Sequence, residues 1–111
     1  MTTLLPQDSN DNPIPALRLK PGAAHQISVS ASSTRNTNAF DENTKIIGLY
    51  TDAPAYIAFG DSSVTATSSD HFFPAGVYYD IAVGGENSAH YTHIAALQVN
   101  NSGTLYISEK E

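Results

Sequence analysis

The sequence predicts an all-β fold: a single antiparallel β-sandwich or jelly-roll-like barrel, preceded by an extended N-terminal arm. From Ala24 onward, apolar and polar residues alternate with a period of two, which is the pattern of a half-buried strand. The alternating runs are short and are separated by turn residues at roughly 8 to 12 residue spacing, which is typical of sandwiches and barrels. No stretch combines helical spacing with capping residues, so we expect little helix. A chain of 111 residues is predicted to form one domain.

The first strand is predicted in HQISVSA, where Ile27, Val29 and Ala31 share one face and the polar residues between them share the other. The Asn- and Thr-rich stretch 34–44 predicts a loop. Further strands are predicted in KIIGLYT (45–51), AYIAFG (55–60), VYYDIAV (77–83), THIAALQV (92–99) and TLYISE (104–109). The sequence NNSG (100–103) predicts a hairpin turn between the last two. With the short apolar positions Val64 and Ala66, the pattern indicates about seven or eight strands.

The segment SSDHFFPAGVYYDIAVGG (68–85) combines aromatic and acidic residues, a mixture that also occurs at reactive sites. Pro74 and Gly76 predict a turn that feeds the following strand. In that strand, one face would carry Val77, Tyr79, Ile81 and Val83, and the other Tyr78, Asp80 and Ala82. We therefore interpret the aromatic residues as strand residues that fill a core or an interface.

Residues 1–23 are predicted to form the arm, and residues 24–111 the sandwich domain. Four of the six prolines lie in this first segment, so it should be extended and poorly able to fold alone. It is nevertheless rich in apolar side chains, namely Leu4, Leu5, Ile14, Leu17 and Leu19. The arm is therefore either a frayed terminus or an extension whose apolar residues lie along another surface, such as a neighbouring subunit.

Composition argues against several classes of partner. The formal net charge is −6, and the five cationic residues are scattered, so the chain cannot assemble the basic patch that nucleic acid requires. No apolar run approaches the ~20 residues that span a bilayer, and residues 1–5 lack the pattern of a signal peptide. Cysteine is absent, which excludes disulfides and thiolate chemistry. We expect a protein made in a cytoplasm, with no nucleic-acid or membrane partner and no cofactor.

Two motifs resemble catalytic or metal-binding signatures. GDS (60–62) is similar to the nucleophile block of one lipase family, but no GxSxG elbow is present and the chain is too small for that scaffold. We interpret it as an acidic turn.

His90 and His93 have metal-ligand spacing for a helix, yet residues three apart on a strand point to opposite faces. We expect His90 in a loop and His93 at the surface or an interface.

Acidic residues give two further candidates. DSNDN (8–12) begins like a calcium loop, but Pro13 and Leu19 stand where the turn glycine and the bidentate Glu are required, which leaves only loose calcium binding by Asp8 and Asp11. Carboxylates that could meet in space as a glycosidase pair are Asp52, Asp61, Asp70 and Asp80. We interpret these as solvated charges near strand ends, with Asp80 discouraging edge pairing. We therefore predict no catalytic and no metal site.

The phrases VTATSSDHFFPAGVYYDIAVGG (64–85) and THIAALQVNNSGTLYISE (92–109) resemble small β-rich virion structural proteins of tailed bacteriophages. The likeness extends to IIGLYTDAPAYIAFGD (46–61) and DSNDNPIPALRLKPG (8–22), so it covers most of the chain and is weakest around residues 35–43. The resemblance implies a noncatalytic component of a phage particle.

Among such components, a short acidic β-domain with an apolar, proline-containing arm best fits a capsid decoration, or cement, protein. The resemblance implies that the major capsid protein and further copies of this chain, in a homotrimer, are its partners. The candidate arm interface is Leu4, Leu5, Ile14, Leu17 and Leu19. The location implied is the capsid surface, after synthesis in the bacterial host cytoplasm.

Two other classes remain open. The chain could be a tail, adaptor or head-spike module of the same particle that binds host glycans through exposed aromatic residues, with Tyr56, Tyr78 and Tyr91 as candidates. It could also be a small hydrolase.

Overall fold

The computed structural model describes residues 9–10, 17–85 and 89–111. These residues contain eight strands and no helix. The strands are β1 (Leu19–Val29), β2 (Thr34–Arg35), β3 (Ile46–Thr51), β4 (Ala55–Gly60), β5 (His71–Phe73), β6 (Tyr79–Ala82), β7 (His93–Gln98) and β8 (Gly103–Lys110). The predicted all-β class is confirmed.

The strands form two antiparallel four-stranded sheets. Sheet I has the order β1-β8-β3-β6 and sheet II the order β2-β7-β4-β5. β1 thus pairs with β8, β2 with β7, β3 with β6 and β4 with β5, so the two halves of the chain pair with each other in antiparallel order. This strand order is that of a jelly roll, in which eight strands form a sandwich of two antiparallel sheets.

The core lies between the two sheets and follows the alternation of the strands. Sheet I contributes Ile27, Val29, Ile47, Leu49, Leu105 and Ile107, and sheet II contributes Ala55, Ile57, Phe73, Ile94 and Ala96, all buried. Phe40, from the connection after β2, completes the core from the segment predicted to be a loop. Burying a side chain of this size stabilises the fold by about 1.5–3 kcal/mol. Ala31, which was predicted to extend the first apolar face, lies beyond β1 and is exposed.

The predicted hairpin at residues 100–103 is wrong, because β7 belongs to sheet II and β8 to sheet I. The chain crosses between sheets here, beside the β3–β4 connection, which crosses the other way. Asp52, in the β3–β4 connection, forms two hydrogen bonds with Thr104 at the start of β8. Its Oδ1 accepts the Thr104 N–H at 2.7 Å, and its own N–H donates to the Thr104 carbonyl at 3.2 Å. Gly103 is required for close approach, since a Cβ there would meet Asp52 and Ala53.

The aromatic segment 68–85 is sheet, as predicted, but it contains two strands rather than one. His71–Phe73 forms β5 against β4, where the sequence indicated only a connection. Gly76 makes the expected turn with φ of 79°. Of the four residues predicted to share one face, Ile81 and Val83 pack against or within the core, whereas Val77 and Tyr79 are 43% and 58% exposed.

The N-terminal edge of sheet I begins earlier than the predicted arm boundary. Leu19 already pairs with Lys110, so residues 19–23 of the predicted arm lie in β1. The register shifts between Leu19 and Ala24, where Pro21 and Gly22 lie and Gly22 has φ of 74°. A proline is tolerated at such an irregularity because β1 is an edge strand.

Candidate functional site

The outer face of sheet I carries three exposed tyrosines. Tyr50 of β3 and Tyr106 of β8 are cross-strand neighbours with ring centroids 6.3 Å apart, and they are 38% and 41% exposed. Both alternate with fully buried residues, so the packing of the core directs them outward. Tyr78, which precedes β6, is 53% exposed. We call Tyr50, Tyr78 and Tyr106 the tyrosine face.

Tyr78 packs against the outer face of sheet I at Gly48. Its ring end lies over Gly48, where any Cβ would collide with the Tyr78 hydroxyl. The Lys110 ammonium lies 4.9 Å from the ring centroid and donates to Asp80 Oδ1 at 2.7 Å. The hydrogen bond to Asp80, together with one to Tyr78, raises the pKa of Lys110. The face is therefore aromatic with a paired charge at its margin.

The arm begins at a corner of the same face. Leu19 is the register partner of Lys110, and Lys110 also pairs with Ile46, so the three share the outer side of sheet I. Leu17 lines a shallow depression there with Ile46 and Lys110. Leu17 and Leu19 are 49% and 62% exposed. We call Leu17, Leu19 and Ile46 the arm corner; the other predicted arm-interface residues, Leu4, Leu5 and Ile14, lie outside the described residues.

The outer face of sheet II is covered at its centre by the β4–β5 loop. Arg35 donates to the Val64 carbonyl at 3.0 Å, and Ser33 Oγ accepts the Ala66 N–H at 2.8 Å. Ala66 and Ala95 are buried as a result. Near the edge, Tyr56 is half-buried against the exposed Phe72, with ring centroids 6.4 Å apart.

A cleft of about 570 Å³ opens between the two sheets at the edge where the short strands β5 and β6 lie. Its lining residues are Ile57, Ala58, Phe59, Asp70, His71, Tyr79, Ile81 and Tyr91. Tyr79 faces into it because its register partner Leu49 faces inward, and His71 does so because it pairs with Ile57. The rings of Phe59 and Tyr91 lie 5.8 Å apart. We call this the inter-sheet cleft.

A buried carboxylate occupies a different part of the interior. Glu109 of β8 is 3% exposed; its Oε1 accepts the Thr44 hydroxyl at 2.6 Å and the Asp41 N–H at 2.9 Å. Its Oε2 lies 2.7 Å from His25 Nε2 of β1, which donates when Glu109 is ionised. Burial alone would raise the pKa of Glu109, but the hydrogen bonds from Thr44, His25 and the Asp41 backbone outweigh it and lower the pKa.

The four carboxylates considered as members of a catalytic pair are each hydrogen-bonded to a different residue. Asp52 bonds Thr104, Asp80 bonds Lys110 and Asp70 Oδ2 accepts the Thr67 N–H at 2.7 Å. Asp61 Oδ1 accepts the Ser63 hydroxyl at 2.7 Å and the Ser63 N–H at 2.9 Å, and these bonds lower the pKa of Asp61. Only Asp70 lines the inter-sheet cleft.

The other sequence candidates do not converge either. Ser62 is exposed in the turn after β4. His90 lies outside the strands, as predicted, and its Nε2 contacts the Thr44 carbonyl at 2.9 Å. His93 was predicted at the surface or an interface; it is the first residue of β7 but is buried within the chain at 7% exposed, with Nδ1 2.8 Å from the Thr92 hydroxyl. Asp8 and Asp11 lie outside the described residues.

The described residues contain neither a metal-binding cluster nor a membrane-spanning helix. No group of three or more His, Cys, Asp or Glu side chains among residues 9–10, 17–85 and 89–111 is arranged to hold a metal ion. Within the same part of the chain, no helix has the length and apolar character needed to cross a bilayer.

Comparison with known proteins finds no matching family model, no matching curated protein and no matching solved structure.

The sequence missed most of the residues that form these surfaces. Of the three tyrosines considered for glycan binding, Tyr91 lines the inter-sheet cleft, Tyr78 lies on the tyrosine face and Tyr56 lies beside Phe72. Tyr50 and Tyr106 were not singled out, although their alternation with apolar neighbours was a usable signal. Tyr79 was placed on the same face as Ile81 and Val83, and in the structure it lines the cleft between the sheets.

Proposed function

We propose that this chain is a noncatalytic phage virion structural protein, a capsid decoration protein that binds the outside of the head and stabilises contacts between capsomers. The observation that carries the proposal is the continuity of the tyrosine face with the arm corner. One side of sheet I therefore offers exposed aromatic residues and the point where the apolar arm joins the fold. The resemblance of the sequence to phage virion proteins supplies the context.

The tyrosine face has the composition of a protein interface. Tyrosine is enriched at interfaces because its ring brings a large contact area and its hydroxyl can still form hydrogen bonds. The Lys110–Asp80 pair at the margin fits a polar rim. In the proposed complex, the tyrosine face contacts the major capsid protein, and the arm runs from Leu17 onto the shell or an adjacent copy.

Such a contact stabilises a shell by linkage. A protein that binds the closed joint between capsomers, and not the open one, adds its binding free energy to the closed state. An arm extends that contact with little added folded mass. Three copies around a three-fold position of the shell would each contribute one such contact, so we propose a homotrimer on the capsid surface.

The separate hydrogen-bond partners of the candidate carboxylates support a noncatalytic role. Glycoside hydrolysis requires two carboxyl groups flanking one bond, whereas each of Asp52, Asp61 and Asp80 is hydrogen-bonded to its own partner. A tail, adaptor or spike module is the second candidate, favoured specifically by the inter-sheet cleft.

Co-sedimentation with empty capsids, assembled from the major capsid protein of the same phage, tests the proposal. Wild-type protein should saturate the capsids, and Tyr50→Ser combined with Tyr106→Ser should weaken binding by about tenfold or more. Tyr56→Ser, on the other sheet, is the matched control and should bind like wild type. Absence of wild-type binding, or equal binding by the double variant, would reject the proposal.

The arm is tested separately by light scattering after size exclusion. The full-length protein should have the mass of a trimer, and the full-length variant Leu4→Ser/Leu5→Ser/Ile14→Ser should dissociate. A wild-type monomer would contradict the homotrimer in solution.

A further inference from the structure

We propose that the inter-sheet cleft is a binding site for a neutral oligosaccharide. This activity goes beyond capsid decoration and uses a different surface from the tyrosine face. It would give a capsid-bound protein a second contact, with a sugar outside the particle.

The cleft has the size and floor of a ligand site. Its volume of about 570 Å³ lies within the range of roughly 300–1,000 Å³ that is typical of small-molecule pockets. Phe59 and Ile81 are partly buried and pack against the core, so the floor is apolar and fixed. A sugar ring that enters the cleft can lay its C–H face on such a surface.

The rim supplies polar groups that the fold does not use. Among the described residues, no hydrogen-bond partner reaches the His71 imidazole, the Tyr79 and Tyr91 hydroxyls or Asp70 Oδ1. By contrast, no buried side-chain polar atom in this part of the chain is left without a partner. Polar groups converging on an apolar floor are the usual way in which a pocket orients a ligand.

The chemistry of the rim favours hydroxyl-rich ligands. Tyrosine hydroxyls and an imidazole both donate and accept hydrogen bonds, and the free carboxylate oxygen accepts them, which matches the mixed donors and acceptors of a sugar. The rings of Tyr79 and Tyr91 add flat surfaces beside them. The net charge of −6 and the carboxylate of Asp70 disfavour acidic sugars, so the ligand should be neutral.

The site should bind without turnover. Asp70 is the single carboxylate among the residues that line the cleft, and hydrolysis of a glycosidic bond uses a pair.

Titration calorimetry on the full-length protein tests the assignment, with chitotriose, maltotriose and cellotriose as neutral probes and a heparin tetrasaccharide as the acidic one. At least one neutral probe should bind with a dissociation constant of about 1 mM or tighter. The heparin fragment should bind more weakly than that probe. Absence of heat from all three neutral probes at about 10 mM would overturn the proposal, as would preferential binding of heparin.

Neighbouring tyrosines provide matched variants. Tyr79→Ala and His71→Ala should each weaken binding by about tenfold. Tyr78→Ala changes the adjacent residue, which lies on the opposite face, and should leave the affinity unchanged. Equal loss in the Tyr78 and Tyr79 variants, or no loss in the Tyr79 variant, would contradict a site in the cleft.

The competing occupant is the proline-containing arm of another copy, since aromatic grooves also accept proline-rich segments. A synthetic peptide of residues 1–16 should neither bind with dependence on Tyr79 nor displace the sugar. If the peptide binds with dependence on Tyr79 and no neutral probe binds, the cleft is an arm-docking site and the sugar proposal fails. Capsid binding is measured independently, so either proposal can fail without the other.

Discussion

Two polar regions of this sandwich are built in opposite ways. At Glu109, both carboxylate oxygens are used, and they connect β8 to β1 and to the β2–β3 connection. At the inter-sheet cleft, Asp70 keeps one oxygen free, and the side-chain polar groups of His71, Tyr79 and Tyr91, which line the same cleft, have no hydrogen-bond partner in the described chain. The first region uses its polar groups to hold the fold together, and the second leaves them available to a ligand.

The β2–β3 connection distinguishes the two regions. It closes over Glu109 through Asp41 and Thr44, beside the long strands β1 and β8, which have 11 and 8 residues. The cleft lies at the opposite edge, beside β5 and β6, which have 3 and 4 residues.

The largest loss of stability is expected from Glu109→Ala. Removing the carboxylate leaves the buried Thr44 hydroxyl and the Asp41 N–H without an acceptor and His25 without its partner. We expect a loss of about 3 kcal/mol in the free energy of unfolding, measured by urea denaturation.

Glu111→Ala is the control for that variant, because it removes the same side chain two residues later at an exposed position. It should change the free energy of unfolding by less than about 0.5 kcal/mol. Similar losses in both variants would show that the Glu109 hydrogen bonds do not hold the closed region together.

A smaller loss of stability is expected from lowering the pH. The pKa of Glu109 in the folded protein is lowered below its ordinary value of 4.5, so its contribution is complete above that value and is lost as the pH falls through the folded pKa. Wild-type stability should therefore fall as the pH drops below about 4.5, more steeply than that of Glu109→Gln.

Part of the slope should survive in the glutamine variant. The hydrogen bond from Lys20 lowers the pKa of Asp41, and hydrogen bonds from Ser63 lower that of Asp61. Equal slopes for wild type and Glu109→Gln would mean that the ionised form of Glu109 is not favoured by folding.

The smallest effect on stability is expected in the open region. Tyr79→Ala removes a side chain that is 58% exposed and has no hydrogen-bond partner in the described chain, so the free energy of unfolding should change by less than about 0.5 kcal/mol. Thermal or urea unfolding checks this. A loss approaching that of Glu109→Ala would show that Tyr79 serves the core rather than the cleft.

The strands were largely predictable because alternation along one segment is a local property. Runs such as 55–60 and 92–99 needed no partner to be recognised. The crossing after β7 was not predictable, since NNSG has the composition of a hairpin turn and only the pairing of β8 with β1 and β3 distinguishes the two. The same holds for Phe40 and Thr44, which lie in a polar segment and are buried by contacts that are distant in sequence.

The surfaces were less predictable than the strands. A tyrosine that alternates with core residues can be recognised as outward-facing, but the adjacency of Tyr50 and Tyr106 depends on the β3–β8 register. The cleft depends on β5, whose three residues are too few to produce a periodic signal. Leu4, Leu5 and Ile14 remain predicted interface residues on compositional grounds.

The most direct test of the account is the temperature at which capsids open, followed by dye access to packaged DNA during heating. Heads saturated with the wild-type protein should open at a higher temperature than bare heads, and heads mixed with the Tyr50→Ser/Tyr106→Ser variant should open like bare heads. If the wild-type protein saturates the heads and leaves the opening temperature unchanged, it is not a cement protein, and an adaptor or spike module becomes the better account.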